Sequence, residues 1–505
     1  MIHVQKYSKM VDVQSEFEER IKRIPIHGLG LSVDVYTPDL FDLVETLSDD
    51  GVEVDYFEIF QAPLTALRCV KFRLPDRRLA YHGEGLWITQ PEFCAEQRHR
   101  NTLAEVSVQL HALDSAWLNL ECATKQMSGY SFGTYLPPLY TELGARMAAE
   151  NLREAQQLID REFRTLDVPA PLLLVEMPPL TYFAYGSLSI PSFYERITRE
   201  AACGLVLDIG HLWTVYRYTA VWRRRSLEQF TDEFLAAFPL ERVVEIHVAG
   251  LGNHTPQIGT QRPADGQSGI PWWIDAHREP IPSLLFDMLQ QVLKNERLIN
   301  LKGMALEVDT KPIPEIVSEF RLFRNRFGRS FPRCIQFSTA DNVVSSMRGQ
   351  KAGNHLKPVT DDEKTRLFRE YQRYALVMTG QLEPSMVCQW ADTEINVEEL
   401  TYYQRVYLPN EILHWGGELG DMFPHTNRLL NDAGIHPMEF VTFWFDRPRT
   451  HRTPYDFFLL KIEYFLEFVS ATLPVAFSTA SDEADSLRAG YDAANQRMNV
   501  TEIVR

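Results

Sequence analysis

Eight short β-type runs recur between residues 28 and 309, most of them apolar on both faces. They are GLGLSV (28–33), DYFEIF (55–60), RLAYHGEG (78–85), AWLNLEC (116–122), LLLVEM (172–177), GLVLDIG (204–210), VVEIHVAG (243–250) and GMALEVD (303–309). A strand with two apolar faces must be covered on both sides, and a parallel sheet wrapped in helices does this. Helical spacing appears between several of the runs. DLFDLVETLSDD (39–50) follows the first, and LGARMAAENLREAQQLIDREFRTL (143–166) precedes the fifth. SFYERITREAA (192–202), SLEQFTDEFLAAF (226–238) and SLLFDMLQQVLKN (283–295) precede the last three. Ser192 with Glu195 predicts a capping box at the start of its helix. The alternation predicts an α/β fold, a (β/α)8 barrel of the TIM type, with an open doubly wound sheet as the alternative. No G-x-G-x-x-G follows the first run, which removes the commonest nucleotide-binding form of the open sheet.

In such a barrel the active site lies at the carboxyl ends of the strands. The third run places His82 there, the fourth Glu121 and the fifth Glu176. The sixth ends in Asp208 with His211 just beyond, the seventh carries His247 and the eighth Glu307. WWIDAHREPIP, between the last two, adds Asp275 and His277, and Glu58 is a weaker candidate on the second. Singly, each has an ordinary reading: a helix cap for Asp208, a turn for Asp275, an ion pair for Glu307. As a set they differ, because carboxylates buried together repel unless cations compensate them. Imidazoles among them suit transition metals better than Mg²⁺ or Ca²⁺. The pattern therefore predicts a metal ring. Glu84 and Asp309 lie nearby, and a surface or helix-cap role is expected of each ahead of a proton-carrying one.

HGEGL (82–86), LVEMPP (174–179), CGLVLDIGHLW (203–213), EIHVAG (245–250), IDAH (274–277) with REPIP after it, and ALEVD (305–309) occur in that order. Together they resemble the multinuclear non-heme iron-dependent oxidases over about residues 25–325. These are barrel enzymes that modify ribosomally made peptides, as in methanobactin biosynthesis. The resemblance implies metal ligands at His82, Glu176, Asp208, His247, Asp275, His277 and Glu307. It implies another at His211, where relatives vary between Asn and His, and places Asp208 and His211 at the catalytic centre. Glu121, also a candidate ligand, stands where many relatives carry a His. The resemblance further implies about two to three iron ions in mixed Fe(II)/Fe(III) states, with O₂ as co-substrate. The oxidised group would be a residue of a precursor peptide, Cys foremost, and a separate partner protein would recognise the leader of that peptide.

Three departures from the family pattern leave the number of irons and the oxidation at Cys open. Met177 follows Glu176 where many relatives have Asn, SVDVY (32–36) lacks a nearby His, and Leu251 replaces a His after Ala249-Gly250. Two other classes stay open as well. One is a metal-dependent isomerase or phosphoesterase of the endonuclease IV-like barrel type. The other is a non-catalytic, metal-stabilised binding protein.

Beyond about residue 330 the pattern changes. Segments 361–381, 454–474 and 481–498 predict helices, while 396–409 and 434–448 are undecided. The division expected is a barrel over 1–330 and a mostly helical accessory domain over 331–505, joined within 324–334 or 345–358. The histidines of this part (355, 414, 425, 436 and 451) are not paired at helical spacing and predict no metal site. A formal net charge of −17 argues against nucleic acid as a partner, and Arg223–Arg225 is read as a solvated helix face. No apolar stretch is long enough for a membrane span, and the first twenty residues lack a signal-peptide core. Six scattered cysteines without a C-x-x-C predict reduced thiols in a cytoplasmic protein.

Overall fold

The structure, a computed structural model, describes residues 12–93, 97–253, 271–329, 357–386, 397–449 and 457–500. Eight parallel strands close into a barrel. Four come first: β1 (Gly28–Val33), β2 (Tyr56–Phe60), β3 (Arg78–Gly83) and β4 (Trp117–Glu121). An antiparallel hairpin follows outside the barrel, β5 (Thr124–Met127) and β6 (Tyr130–Leu136). The barrel resumes with β7 (Leu172–Glu176), β8 (Gly204–Asp208) and β9 (Val243–Ala249). A second small hairpin, β10 (Leu251–Asn253) and β11 (Trp273–Asp275), precedes the last barrel strand, β12 (Gly303–Glu307). The order around the barrel is β1-β12-β9-β8-β7-β4-β3-β2. Each of the eight predicted runs contains its barrel strand.

The floor of the barrel is apolar. Tyr56, Ala80, Trp117, Leu174, Val206 and Ala305 form one cluster there. The helix Val13–Ile21 plugs it from below with Phe17 and Ile21. Two glycines make room for Tyr56. A Cβ on Gly30 would stand 2.4 Å from its ring, and one on Gly303 2.6 Å from its hydroxyl. Gly30 and Gly303 thus serve close approach inside the barrel rather than turns.

The expected barrel helices are present as Leu40–Asp49, Glu142–Thr165, Ile190–Glu200, Leu227–Ala237 and Ser283–Val292. One cap is corrected. The third of these starts two residues earlier than expected, and Ser189 is its N-cap, accepting from the Ser192 N–H. Pro191 fits the first turn, where a missing N–H costs nothing. Helices Leu64–Arg73, Gln97–Leu113, Ile209–Tyr218 and Ile313–Phe327 complete the outer layer. Arg223 lies on a short 3₁₀ turn rather than a helix face, and Arg225 bonds Glu233 at 2.9 Å.

The C-terminal part is mostly helical. Asp361–Met378, Phe457–Thr472 and Phe477–Val500 match the expected helices. The undecided stretch 396–409 is helical, Val397–Tyr402 passing through a π turn (Tyr403–Tyr407) into Leu408–His414. The other holds helix Pro437–Trp444. Of the first expected junction, 324–327 is still helix Ile313–Phe327 and 330–334 lies outside the described residues, as does 345–356 of the second. The helices pack on the β5/β6 hairpin. Trp444 Nε1 donates to the Ser131 carbonyl at 2.7 Å, and Gln381 Nε2 to the Tyr130 hydroxyl at 2.8 Å. Arg146 and Glu363 pair at 2.8 Å, and one hydrophobic cluster runs from barrel to helices.

Cys122 and Cys203 are buried free thiols and Cys69 is half-buried, while Cys94, Cys334 and Cys388 lie outside the described residues. Among the described residues no helix is long and apolar enough to cross a membrane.

Candidate metal centre

The strand register gathers the predicted residues at one end of the barrel. Glu121 on β4 is level with Glu176 on β7, and Asp208 on β8 is level with His247 on β9. Glu307 ends β12, two residues beyond Ala305, which is level with His247. Asp208 ends its strand and caps the helix that follows, its Oδ1 accepting from the His211 N–H at 2.5 Å. That first turn returns the His211 ring over the barrel.

Glu176 is the hub. His82 Nε2 lies 3.4 Å from its Oε2, and His247 Nδ1 lies 3.2 Å from its Oε1. Asn119, two residues before Glu121 and on the same face of β4, donates to Glu176 Oε2 at 2.5 Å. His211 Nε2 stands 3.8 Å from Asp208 and 3.7 Å from Asp275. His277 Nε2 stands 3.2 Å from Asp275 and 3.4 Å from Glu307. Three groups bring their ligand-type atoms within 4.8 Å of one another: Glu176, Asp208, His211 and Glu307; His82, Glu121 and Glu176; and Glu58, Glu245 and His247. All nine expected ligands therefore share one site. Glu58 joins them, and sequence reasoning missed Asn119 and Glu245. Both had a signal, since each lies two residues from a ring residue on a strand, where period two sends them inward.

Glu84 and Asp309 depart from expectation. Glu84 is buried and its Oε1 lies 2.6 Å from Lys125 Nζ on β5. Asp309 hydrogen-bonds His277 Nδ1. His211 Nδ1 is likewise engaged, by the Met177 carbonyl at 2.5 Å. In both rings the second nitrogen is left facing carboxylates, the arrangement of a metal-ligating histidine whose tautomer is fixed from behind.

The charges are unbalanced without cations. Burial, with Glu176 alongside, pushes Glu121 up to about 8. Burial pushes Asp208 up to about 7. Burial opposes a charged His82, but Glu176 and Glu58 raise it to about 9. Burial also opposes the Glu176 carboxylate, yet His247, His82 and His211 hold it well below the usual range. Among the described residues, seven atoms of the nine expected ligands find no hydrogen-bond partner: His82 Nδ1, Glu121 Oε2, Asp208 Oδ2, His211 Nε2, His247 Nε2, Asp275 Oδ1 and Glu307 Oε2. Buried nitrogen and oxygen lone pairs converging without donors fit transition-metal ions.

The β5/β6 hairpin closes one side of the centre. Burial and the nearby charges of Glu84, Glu121, Glu176 and Glu307 push Tyr135 well above the usual phenol range, so it stays a neutral phenol in the vicinity of the ring. Lys125 Nζ sits 4.3 Å from the Tyr135 ring and 5.3 Å from that of Trp415, which comes from the C-terminal part. Of the C-terminal histidines, His414, His425 and His436 join no metal-type group among the described residues, and His355 and His451 lie outside them.

Comparison with known proteins bears on this site. A family model described as "RiPP precursor modification enzyme MbnB/TglH/ChrH" matches residues 28–325. A UPF0276 protein of Rhizobium meliloti is 24% identical over 261 residues, 49% of this chain and 72% of that one. A UPF0276 protein of Caulobacter vibrioides is 23% identical over 308 residues, covering 59% and 93%. Among solved structures, endonuclease IV from Thermus thermophilus is 16% identical with a TM-score of 0.35, covering 60% of this chain and 99% of that one. A xylose isomerase domain protein from Planctomyces limnophilus is 10% identical with a TM-score of 0.38, covering 61% and 100%. At those scores the structural likenesses carry no functional weight.

Proposed function

The chain belongs to the MbnB/TglH/ChrH family of RiPP precursor modification enzymes, and from that premise we propose a multinuclear iron enzyme that uses O₂ to oxidise a precursor-peptide residue, Cys foremost. The observation that carries this reading is the buried ring, whose residues converge from six barrel strands, the first turn of helix Ile209–Tyr218 and the Asp275–His277 segment, with nitrogen and oxygen atoms left unpartnered. His82, Glu121 and Glu176 would hold one ion; Glu176, Asp208, His211 and Glu307 another; Asp275, His277 and His247 complete the shell. Bound iron supplies Lewis acidity toward the substrate and electrons for O₂.

The chain's own residues do the rest. The His82–Glu121–Glu176 side is sealed, while the side chains of Asp275 and His277 are 18% and 25% exposed. The peptide therefore enters over Asp275 and His277. Asp309, half-exposed, holds His277 Nδ1 from behind and so leaves Nε2 of that ring toward Asp275 and Glu307. Tyr135 offers a neutral hydroxyl donor in the vicinity of the ring. Residues 331–505 act as an accessory domain that braces the hairpin, and buried free thiols fit a reducing, cytoplasmic setting.

The test is the metal content of anaerobically purified protein, set beside Asp208→Ala and His247→Ala. About two to three irons per chain, lost in both variants, with O₂ uptake that depends on an added peptide, is the expected result. Zinc or manganese with O₂-independent turnover would overturn the oxidase in favour of an isomerase or hydrolase.

A further inference from the structure

His247 stands between two pairs of carboxylates. Its Nδ1 faces the ring, 3.2 Å from Glu176 Oε1 and 3.3 Å from Glu307 Oε1. Its Nε2 faces a second pair, 3.0 Å from Glu58 Oε2 and 3.6 Å from Glu245 Oε2. Glu58, Glu245 and His247 are all fully buried. The second pair follows from strand alternation: Glu58 lies two residues after Tyr56 on β2, and Glu245 two residues before His247 on β9. The Tyr56 hydroxyl donates to Glu245 Oε1 at 2.5 Å, which ties this carboxylate to the barrel floor. No such hydrogen bond anchors Glu58: the 3.0 Å approach of His247 Nε2 is an ion-pair contact, and neither Glu58 oxygen nor His247 Nε2 has a hydrogen-bond partner among the described residues.

A sealed barrel interior is a costly place for two carboxylates with a single imidazole between them. A ligating imidazole, however, needs its far nitrogen protonated and pinned. We propose that Glu58 is a positioning residue for the metal centre. It accepts the Nε2 proton of His247, fixes that tautomer, and presents the Nδ1 lone pair to the ions held by Glu176 and Glu307. Glu245, anchored by Tyr56, forms the other half of this carboxylate shelf. The inference rests on the metal-centre reading above and adds to it the residue that orients one ligand from behind.

Glu58→Gln tests it with little change of volume. A glutamine at 58 is neutral: its carbonyl accepts the Nε2 proton more weakly than a carboxylate does, and its amide, turned toward Nε2, drives that proton onto Nδ1 and aims it at the ions. The same change removes the repulsion between Glu58 and Glu245. The shelf therefore predicts opposite effects on metal binding and on the metal-free fold. In full-length protein stripped of metal and titrated anaerobically with Fe(II), Glu58→Gln is expected to weaken uptake about 10–100-fold. The number of ions bound at saturation is expected to equal that of the wild type. The metal-free variant is expected to melt at a higher temperature than metal-free wild type. In Co(II)-loaded wild type, the His247 N–H should give a solvent-exchangeable, paramagnetically shifted proton resonance that the variant lacks.

Unchanged Fe(II) affinity in the variant overturns the inference and leaves the centre intact. So does a lowered melting temperature of the metal-free variant, which makes Glu58 a structural residue. Loss of one ion at saturation overturns it too, because Glu58 is then a ligand. A wild-type chain that takes up no Fe(II) overturns the proposed function itself, and this inference with it.

Discussion

Asp208 does two jobs with one carboxylate. Its Oδ1 caps the helix Ile209–Tyr218, and its Oδ2 faces the ring without a partner. The two jobs separate by substitution. Asparagine caps a helix about as well as aspartate, whereas alanine loses about 1 kcal/mol of cap. Asp208→Asn is expected to lose metal while its metal-free form melts no lower than wild type, since burial already disfavours this charge. Asp208→Ala is expected to lose both metal and stability, read by metal analysis and calorimetry. At the opposite end of the barrel, His27 is packed 4.1 Å from the Trp117 ring, and burial pulls its pKa down to about 4. The folded state thus keeps His27 neutral where the unfolded chain, with a value near 6.5, takes a proton. Its contribution is complete above about pH 6.5 and is lost as pH falls toward 4, on the order of 3 kcal/mol in all. Denaturant titrations of His27→Phe against wild type at pH 7 and pH 4.5 are expected to show the pH dependence shrinking in the variant. An unchanged pH dependence would place the acid sensitivity elsewhere.

At the scale of elements, the barrel was legible because a strand buried on both faces announces itself in composition, and six of the eight runs carry a ligand-type residue at or near their carboxyl end. GLVLDIGH alone shows the strand, the cap and the turn that brings His211 back. What was not legible depends on where elements meet. The β5/β6 hairpin reads TKQM and YSFGTYL, polar and glycine-broken, because it lies outside the barrel and is covered by helices more than two hundred residues later. Tyr135 therefore gave no sign that it lies near the ring carboxylates. Asn119 and Glu245 were readable, but only by counting two back from a residue already chosen. Gly133 shows how tightly the hairpin is held. It has φ +67°, and a Cβ there would stand 2.6 Å from the Phe457 ring. Gly133→Ala must both strain the backbone and displace Phe457, a cost of about 1–3 kcal/mol. No ring ligand lies on the hairpin, so the variant is expected to keep its metal while peptide-dependent O₂ uptake falls. Parallel loss of metal would mean that the hairpin helps to build the centre rather than to cover it.

At the scale of the molecule, the question is whether barrel and helices are two bodies or one. The contacts favour one. Trp444, with 1% exposure, bonds the hairpin backbone and stands among Phe440, Phe457 and Tyr464. Phe132 of the hairpin packs on Phe445, and Tyr374 of the C-terminal part bonds the Pro137 carbonyl at 3.3 Å. A core continuous across both parts couples their unfolding, because neither can open without exposing the apolar face of the other. Calorimetry of the full chain is therefore expected to give one transition. Metal should move all of it upward, by about 2.7 kcal/mol when free ion stands at a hundred times its dissociation constant. Trp444→Ala, far in sequence from every ring residue, is expected to lower that same transition by about 3–5 kcal/mol. Two transitions, with metal shifting one and Trp444→Ala the other, would show that the helices fold apart from the barrel. In that case the brace on the hairpin, and the role it gives Tyr135 and Lys125, would have to be a property of the bound state alone.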